Sequence, residues 1–76
     1  MCGIVGIISS KEVTTRIINS LKKLEYRGYD SAGIATLVDG EINEVKCEGR
    51  VEVLEKDMSK FNLKGDIGIG HVRWAT

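Results

Sequence analysis

The chain has 76 residues, 42% of them hydrophobic, and its eleven basic residues balance its eleven acidic ones. This length suffices for one small domain with a modest core. The balanced, scattered charge argues against a basic nucleic-acid-binding surface and an acidic tail, and the hydrophobic content argues against disorder.

The cysteine and histidine content indicates the compartment. A disulfide scaffold of this size usually has at least about four cysteines, so we expect Cys2 and Cys47 to be reduced thiols in a cytoplasmic protein. The chain's one histidine, His71, has no cysteine beside it, which argues against a zinc site.

The apolar start is too short to span a bilayer and lacks the basic leader of a secretory signal. We therefore expect binding to neither membrane nor nucleic acid.

The first predicted element is a strand. Residues 2–8, CGIVGII, form a short apolar run that predicts a buried strand. Ser9 and Glu12 have the spacing of a capping box, and Ile8 and Val13 that of its hydrophobic staple. This pattern predicts that a helix begins directly after the strand.

The predicted helix covers residues 10–26, and Gly28 is a plausible stop signal. Four of its apolar residues share one face, with Ile18 beside them, and they are Val13, Ile17, Leu21 and Leu24. Residues 32–47 then predict a hairpin, because Asp39 and Gly40 favour a type I′ turn.

The last two elements are a second helix over residues 51–61 and a strand over residues 66–73. The helix is predicted from the apolar spacing of Val51, Leu54, Met58 and Phe61. In the strand, Ile67, Ile69, His71 and Arg73 alternate with Gly68, Gly70, Val72 and Trp74. These elements give an α+β class. Because the chain stops at Thr76 without a turn or a polar tail, we expect the domain to continue beyond it.

The second residue is a cysteine at the start of an apolar strand. A thiol with a pKa of about 8.5 is mostly protonated at neutral pH, so a nucleophilic cysteine needs a base or a positive neighbour. If Met1 is removed, the α-amino group of Cys2, with an ordinary pKa of roughly 7.7 to 8.0, can act as that base. Nucleophile and base are then parts of one residue, as in enzymes with an N-terminal threonine.

Both cysteines also have a plain structural interpretation. Free cysteine is among the most buried residue types, and a cysteine beside a glycine in an apolar strand is usually part of the packing. On position alone this interpretation is favoured for Cys2. For Cys47, in the predicted hairpin, it has no competitor.

Three separated stretches change this balance for Cys2. They are MCGIVGI at 1–7, LEYRGYDSAG at 24–33 and GHVRWAT at 70–76. In this order they closely resemble the class II glutamine amidotransferases, whose glutaminase domain has an N-terminal nucleophile. The two later stretches are most similar to the members that aminate fructose 6-phosphate, whereas the amidophosphoribosyltransferases tend to have QHRG in place of EYRG.

The resemblance implies catalytic roles near the chain start. Cys2 matches the nucleophile that attacks the side-chain amide of glutamine, giving a γ-glutamyl thioester and releasing ammonia. Arg27 and Gly28 match a family motif that lies near this nucleophile. No metal or organic cofactor is implied for the glutaminase step.

The resemblance also implies glutamine-binding roles at the end of the chain. Arg73 matches the residue that holds the α-carboxylate of glutamine, which suits a planar guanidinium. Trp74 and Thr76 match positions of a loop that covers and hydrogen-bonds the substrate. Each of these residues also has a plain structural interpretation.

Taken singly, Arg73 could be a surface charge, Trp74 a core residue, Thr76 a strand end and Arg27 a cation at a helix C-terminus. Because the residues occur together and in the order of the family, the functional interpretation is favoured for them. For His71 we expect a packing or hydrogen-bonding role.

The resemblance implies a larger parent protein. Its fold is the four-layer αββα fold of N-terminal-nucleophile hydrolases, of which residues 1–76 are an incomplete glutaminase domain. The parent transfers glutamine nitrogen to fructose 6-phosphate, giving glucosamine 6-phosphate and glutamate, and we expect it to be a homo-oligomer. The oxyanion-hole residues and the sugar-isomerase domains would follow Thr76, so we expect the chain by itself to be inactive.

Two other function classes stay open at this point. One is a different amidotransferase of the same fold, of the amidophosphoribosyltransferase or asparagine synthetase type. The other is a small, non-catalytic binding module that uses the first elements of this fold.

Overall fold

A four-stranded antiparallel sheet carries two helices on one face. The computed structural model describes residues 2–25, 30–60 and 63–74, and only the backbone at Cys2. Its elements are β1 (Cys2–Ile8), α1 (Thr14–Leu24), β2 (Ser31–Val38), β3 (Glu41–Glu48), α2 (Val51–Met58) and β4 (Ile67–Arg73). The α+β class and all six predicted elements are confirmed, although both helices are shorter than predicted. Gly28, the predicted helix stop, and Phe61 lie outside the described residues.

The strand order in the sheet is β1-β4-β2-β3. The last strand in sequence therefore lies between the first two, and every neighbouring pair is antiparallel. Helix α1 lies over β1 and β4, and α2 lies over β3 and β2. The buried core between helices and sheet consists of Val13, Ile17, Ile18, Leu21, Ala32, Ile34, Val45, Val51, Leu54, Leu63 and Val72. The predicted alternation in β4 is confirmed, because Gly68, Gly70 and Val72 are buried whereas Ile67, Ile69 and Arg73 are exposed.

The predicted capping box at Ser9 and Glu12 is wrong. Helix α1 begins at Thr14, and the residue before it, Val13, provides no side-chain cap. The Ser9 N–H instead donates to the Asp66 carbonyl and the Val13 N–H to the Gly65 carbonyl, both at 2.9 Å. These long-range hydrogen bonds hold the segment in a non-helical conformation, so the helix starts four residues late.

The predicted staple between Ile8 and Val13 is also absent. Ile8 is 81% exposed on the open face of the sheet, whereas Val13 is fully buried under the helix. The type I′ turn is confirmed, because Asp39 and Gly40 both have positive φ angles, 51° and 82°. Asp39 and Gly40 therefore form the turn of the hairpin, as their sequence predicts.

The sheet face opposite the helices is open and largely apolar. Its exposed large side chains are Ile4, Ile8, Leu37, Ile42, Ile67 and Ile69. A shallow apolar depression of about 280 Å³ lies on this face at the end away from Cys2. An apolar sheet face of this extent is typical of a surface that another layer of protein covers. None of the helices in the described part of the chain is long and apolar enough to cross a membrane.

Candidate active site

One end of the sheet brings Cys2 and Arg73 together. The Cα of Cys2 pairs with that of Arg73 across β1 and β4, and Arg73 pairs in turn with Ser31 of β2. Ser31 is opposite Glu48 of β3, so the row crosses the whole sheet. Because the strands are antiparallel, the starts of β1 and β2 meet the ends of β4 and β3 here. Cys2 and Arg73 therefore lie at the same end of the sheet, as one substrate that contacts both residues would require.

A shallow open cavity lies beside this row, over β4, β2 and β3. Its volume is about 320 Å³, and it is lined by Ser31, Ala32, Lys46, Cys47, Glu48 and His71. The cavity lies at the end of the sheet where the site residues meet, and most of its lining surface is apolar. The apolar depression of about 280 Å³ on the open face is at the other end of the sheet and has no part in this site.

Arg73 is paired with Asp30. The Arg73 Nε donates to Asp30 Oδ2 at 2.6 Å, and Arg73 Nη2 forms an ion pair with the same oxygen. The Arg73 side chain is 65% exposed, whereas that of Asp30 is 32% exposed. An exposed pair of this kind contributes little to stability, so its consequence is mainly geometric. The guanidinium is held at the end of β4, beside the start of β1.

The backbone of Asp30 is held by the hairpin. The Asp30 carbonyl accepts a hydrogen bond from the Gly49 N–H at 2.8 Å, at the point where β3 ends. The carboxylate that pairs with Arg73 is therefore attached to a fixed backbone. Asp30 lies in the YRGYDSAG part of the second motif, which is the only signal in the sequence that could have indicated this role. Sequence reasoning assigned no function to it.

Trp74 and His71 have packing positions. Trp74 is half-buried and packs against the hydrophobic core. His71 lies over Gly33, since a Cβ added to that glycine would be 2.6 Å from His71 Nε2. The packing role expected for His71 is confirmed. The structure thus places an exposed Arg73 at the end of β4 and Trp74, the next residue, against the core.

Three predicted site residues, Arg27, Gly28 and Thr76, lie outside the described residues, as does the side chain of Cys2. The roles predicted for them stay predictions. The described backbone does place the start of β2 two strands from Cys2, and β2 begins three residues after Gly28 in the chain. The second motif therefore reaches the sheet at the end where β1 begins.

Cys47 is a half-buried residue of β3 that packs against the core. Burial, and then the Asp57 carboxylate, raise the pKa of the Cys47 thiol, while a hydrogen bond with the Ala32 backbone opposes this rise. The thiol therefore stays protonated at neutral pH and is a poor nucleophile. Cys47 lies on β3 and Cys2 on β1, three strand spacings or about 14 Å apart, so the two cannot form a disulfide.

The chain resembles curated aminotransferases over its whole length. It is 53% identical to glutamine–fructose-6-phosphate aminotransferase (isomerizing) of Bartonella henselae, 57% to that of Brucella abortus and 55% to that of Clostridium acetobutylicum. Each match covers all 76 residues of the chain. The chain is a relative of the N-terminal part of these aminotransferases. It spans 12% of the length of each of them. No protein-family profile matches the chain.

Two solved structures have the same arrangement of strands and helices. One is the glutamine phosphoribosylpyrophosphate amidotransferase of B. subtilis complexed with ADP and GMP, at a TM-score of 0.83 and 28% identity. The other is an allosteric regulatory enzyme of purine biosynthesis, at a TM-score of 0.85 and 28% identity. The matches cover 99% and 100% of this chain and 16% of each of those chains. The fold is therefore that of the N-terminal part of an N-terminal-nucleophile glutamine amidotransferase domain.

Proposed function

We propose that this chain is the N-terminal part of the glutaminase domain of an isomerizing glutamine–fructose-6-phosphate aminotransferase. In this proposal, the whole protein releases ammonia from glutamine and transfers it to fructose 6-phosphate, giving glucosamine 6-phosphate and glutamate. The observation that carries it is the register of Cys2 opposite Arg73, in a chain that resembles these aminotransferases over its full length. By itself the chain would hold only part of the glutamine site.

Cys2 is the nucleophile of the proposed reaction. Its α-amino group, exposed once Met1 is removed, takes the thiol proton, and the thiolate sulfur attacks the amide carbon of the glutamine side chain. The C–N bond then breaks, and ammonia leaves with the proton that the amine returns. Water attacks the resulting γ-glutamyl thioester, which gives glutamate and restores the thiol. No described residue is required as a separate base.

Arg73 binds the glutamine α-carboxylate in this proposal. Its guanidinium is exposed, lies at the end of the sheet where β1 begins, and has the planar donor geometry that a carboxylate accepts. Trp74, which packs against the core, would support the backbone of the loop that holds Thr76. Arg27 and Gly28 would lie near the nucleophile, because the chain enters β2 beside the Cys2–Arg73 row.

The rest of the protein would complete both the domain and the reaction. The open apolar face of the sheet is the surface on which the second sheet of the four-layer αββα fold would pack. The oxyanion donors and the sugar-isomerase domains would come from segments beyond Thr76. We further propose that the protein is a cytoplasmic homo-oligomer that acts without nucleic acid, membrane or cofactor.

A phosphoribosylpyrophosphate amidotransferase is the second candidate. The two solved structures favour it by fold, yet their identity to this chain is 28%, against 53 to 57% for the fructose-6-phosphate enzymes. Both candidates share the glutaminase chemistry and differ in the acceptor of ammonia. The identity of the ammonia acceptor therefore distinguishes the two candidate functions.

The test is product formation by the full-length protein with glutamine and either acceptor. Glucosamine 6-phosphate should form from fructose 6-phosphate, and no phosphoribosylamine should form from phosphoribosylpyrophosphate. Cys2→Ala should abolish the reaction, whereas Cys47→Ala, its matched control, should leave the rate within about twofold of the original. Activity that survives Cys2→Ala, or transfer to phosphoribosylpyrophosphate alone, would overturn the proposal.

A further inference from the structure

The ion pair between Arg73 and Asp30 assigns a role to a residue that the reaction scheme does not use. We propose that Asp30 is a positioning residue, which holds one edge of the Arg73 guanidinium and thereby directs the other edge toward the α-carboxylate of glutamine. This inference rests on the proposed function, because it presupposes that Arg73 binds that carboxylate. Asp30 would thus orient the Arg73 guanidinium without itself contacting the substrate.

The atoms in the ion pair support this division of the guanidinium. A guanidinium has five N–H groups, one on Nε and two on each Nη. Asp30 Oδ2 takes the Nε and Nη2 side of Arg73. The second edge, formed by Nη1 and the remaining N–H of Nη2, has no partner among the described residues. That edge is a planar fork that matches a second carboxylate in a bidentate geometry.

The two carboxylates therefore do not compete for the same donors. If Asp30 occupied the Nη1–Nη2 edge, the substrate would have to displace it. With Asp30 on the Nε side, the substrate can add to a guanidinium that is already oriented. The Asp30 negative charge repels a second carboxylate, but the positive charge of the Arg73 guanidinium lies between the two carboxylates and offsets this repulsion.

Orientation is needed here because Arg73 is long and exposed. Its side chain is 65% exposed at a strand end, where packing does not restrict its rotamers. Asp30 is better placed to provide the restriction, since its own side chain is 32% exposed and its carbonyl is bonded to Gly49. The pair joins the start of β2 to the end of β4. The guanidinium is thereby fixed to the same row of residues as the backbone of Cys2.

The first measurement is the glutaminase kinetics of the full-length protein carrying Asp30→Ala. Without Asp30, the Arg73 side chain has to be ordered when glutamine binds. KM for glutamine should therefore rise about two- to tenfold, while kcat changes less than about twofold. Asp30→Asn keeps an oxygen that can accept from Nε and should restore most of the affinity. With the α-carboxamide of glutamine as substrate, Asp30→Ala should leave KM unchanged, because that substrate has no α-carboxylate.

Glu55→Ala is the matched control. It removes an ion pair with Lys22, at 2.9 Å and with side chains 45% and 43% exposed, on the helical layer. This variant should keep the original KM for glutamine. A change in KM common to Asp30→Ala and Glu55→Ala would show a general effect of lost surface charge and would overturn the inference.

The double variant with Arg73→Ala and Asp30→Ala separates this inference from the proposed function. If Asp30 acts through Arg73, the double variant has the same KM as Arg73→Ala alone. A KM that rises further by the full Asp30 factor shows an independent action and overturns the positioning role. If Arg73→Ala raises KM and Asp30→Ala does not, the inference fails while the proposed function stands. If Arg73→Ala leaves KM unchanged, the carboxylate role fails and this inference with it.

Discussion

Gly70 lies directly beneath Ile17. A methyl group on Gly70 would be 2.5 Å from Cγ2 of Ile17 and 3.0 Å from Cδ1 of Leu21. The missing side chain therefore lets α1 lie close to β4, the strand that ends at Arg73. The distance between β4 and α1 therefore depends on Gly70 having no side chain.

Gly70→Ala is expected to destabilise the protein. The added methyl group has to displace a branch of Ile17 that is attached next to the helix backbone, and overpacking of this kind costs about 1 to 3 kcal/mol of unfolding free energy. Asn19→Ala is the control, since Asn19 is exposed on α1 and its replacement by alanine adds no group to the packed layer. Thermal or denaturant unfolding of the full-length protein measures both. Equal stability of the two variants would contradict this account of β4.

Glu25 caps α2 from the end of α1. The Val51 N–H donates to Glu25 Oε2 at 2.6 Å, whereas the local N-cap residue, Arg50, makes no side-chain cap. Glu25→Ala should therefore lower the unfolding free energy by about 0.5 to 2 kcal/mol, as for other lost caps. Glu25→Gln keeps an acceptor oxygen but loses the favourable charge at the helix N-terminus, so it should cost less.

Glu12→Ala is the control for the Glu25 variants. The sequence pattern assigned Glu12 to a capping box that the structure does not contain, so its removal should leave stability within about 0.5 kcal/mol. If Glu12→Ala lowered the unfolding free energy as much as Glu25→Ala, the predicted capping box at Ser9 and Glu12 would form after all. The unfolding midpoints of the three variants decide between these outcomes.

The sequence predicted those features that depend on local patterns. Strand β4 was identified because apolar residues and glycines alternate with a period of two, and the hairpin turn because Asp39 and Gly40 tolerate positive φ. The start of α1 was misplaced because the Ser9 and Val13 N–H groups bond to carbonyls more than fifty residues away. No local pattern contains such partners.

The candidate site was predicted in part for the same reason. Arg73 was identified from its motif, but its partner Asp30 is 43 residues away in the sequence. That pairing requires β4 to lie beside β2, and the order of strands in a sheet does not follow from their individual patterns. Trp74 was expected to alternate with Arg73, and its packing against the core agrees with this alternation.

Cys47 is expected to react slowly with alkylating reagents. Because burial and Asp57 raise the pKa of its thiol, the thiolate fraction at pH 7 is smaller than that of a free cysteine. The pH at which the reaction with iodoacetamide reaches half its maximal rate should lie above that of a free cysteine. The same protein unfolded in urea is the control and should react faster at pH 7. A native rate equal to the unfolded rate would contradict the assigned protonation.

Ile69 is expected to be buried in the full-length protein although it is 58% exposed in this chain. If a second sheet covers the open face, Ile69→Asp places an unpaired charge in that interface and should lower the unfolding free energy by at least about 2 kcal/mol. Val53→Asp, at a residue of α2 that is 39% exposed, is the control and should have a small effect. Similar melting temperatures for the two variants would mean that the open face stays in contact with solvent.

A free α-amine on Cys2 is required if this amine is the base. We therefore expect a fusion that leaves residues before Cys2 to lower glutamine hydrolysis by at least about a hundredfold, the usual contribution of a general base. The thiol itself is unchanged in this fusion, so alkylation after unfolding should detect it in full. A protease whose cleavage leaves Cys2 as the first residue provides the control, because the same preparation is compared before and after cleavage. Cleavage should restore hydrolysis. If the uncleaved fusion hydrolyses glutamine as fast as the cleaved protein, another group takes the thiol proton, and the one-residue mechanism for Cys2 is wrong.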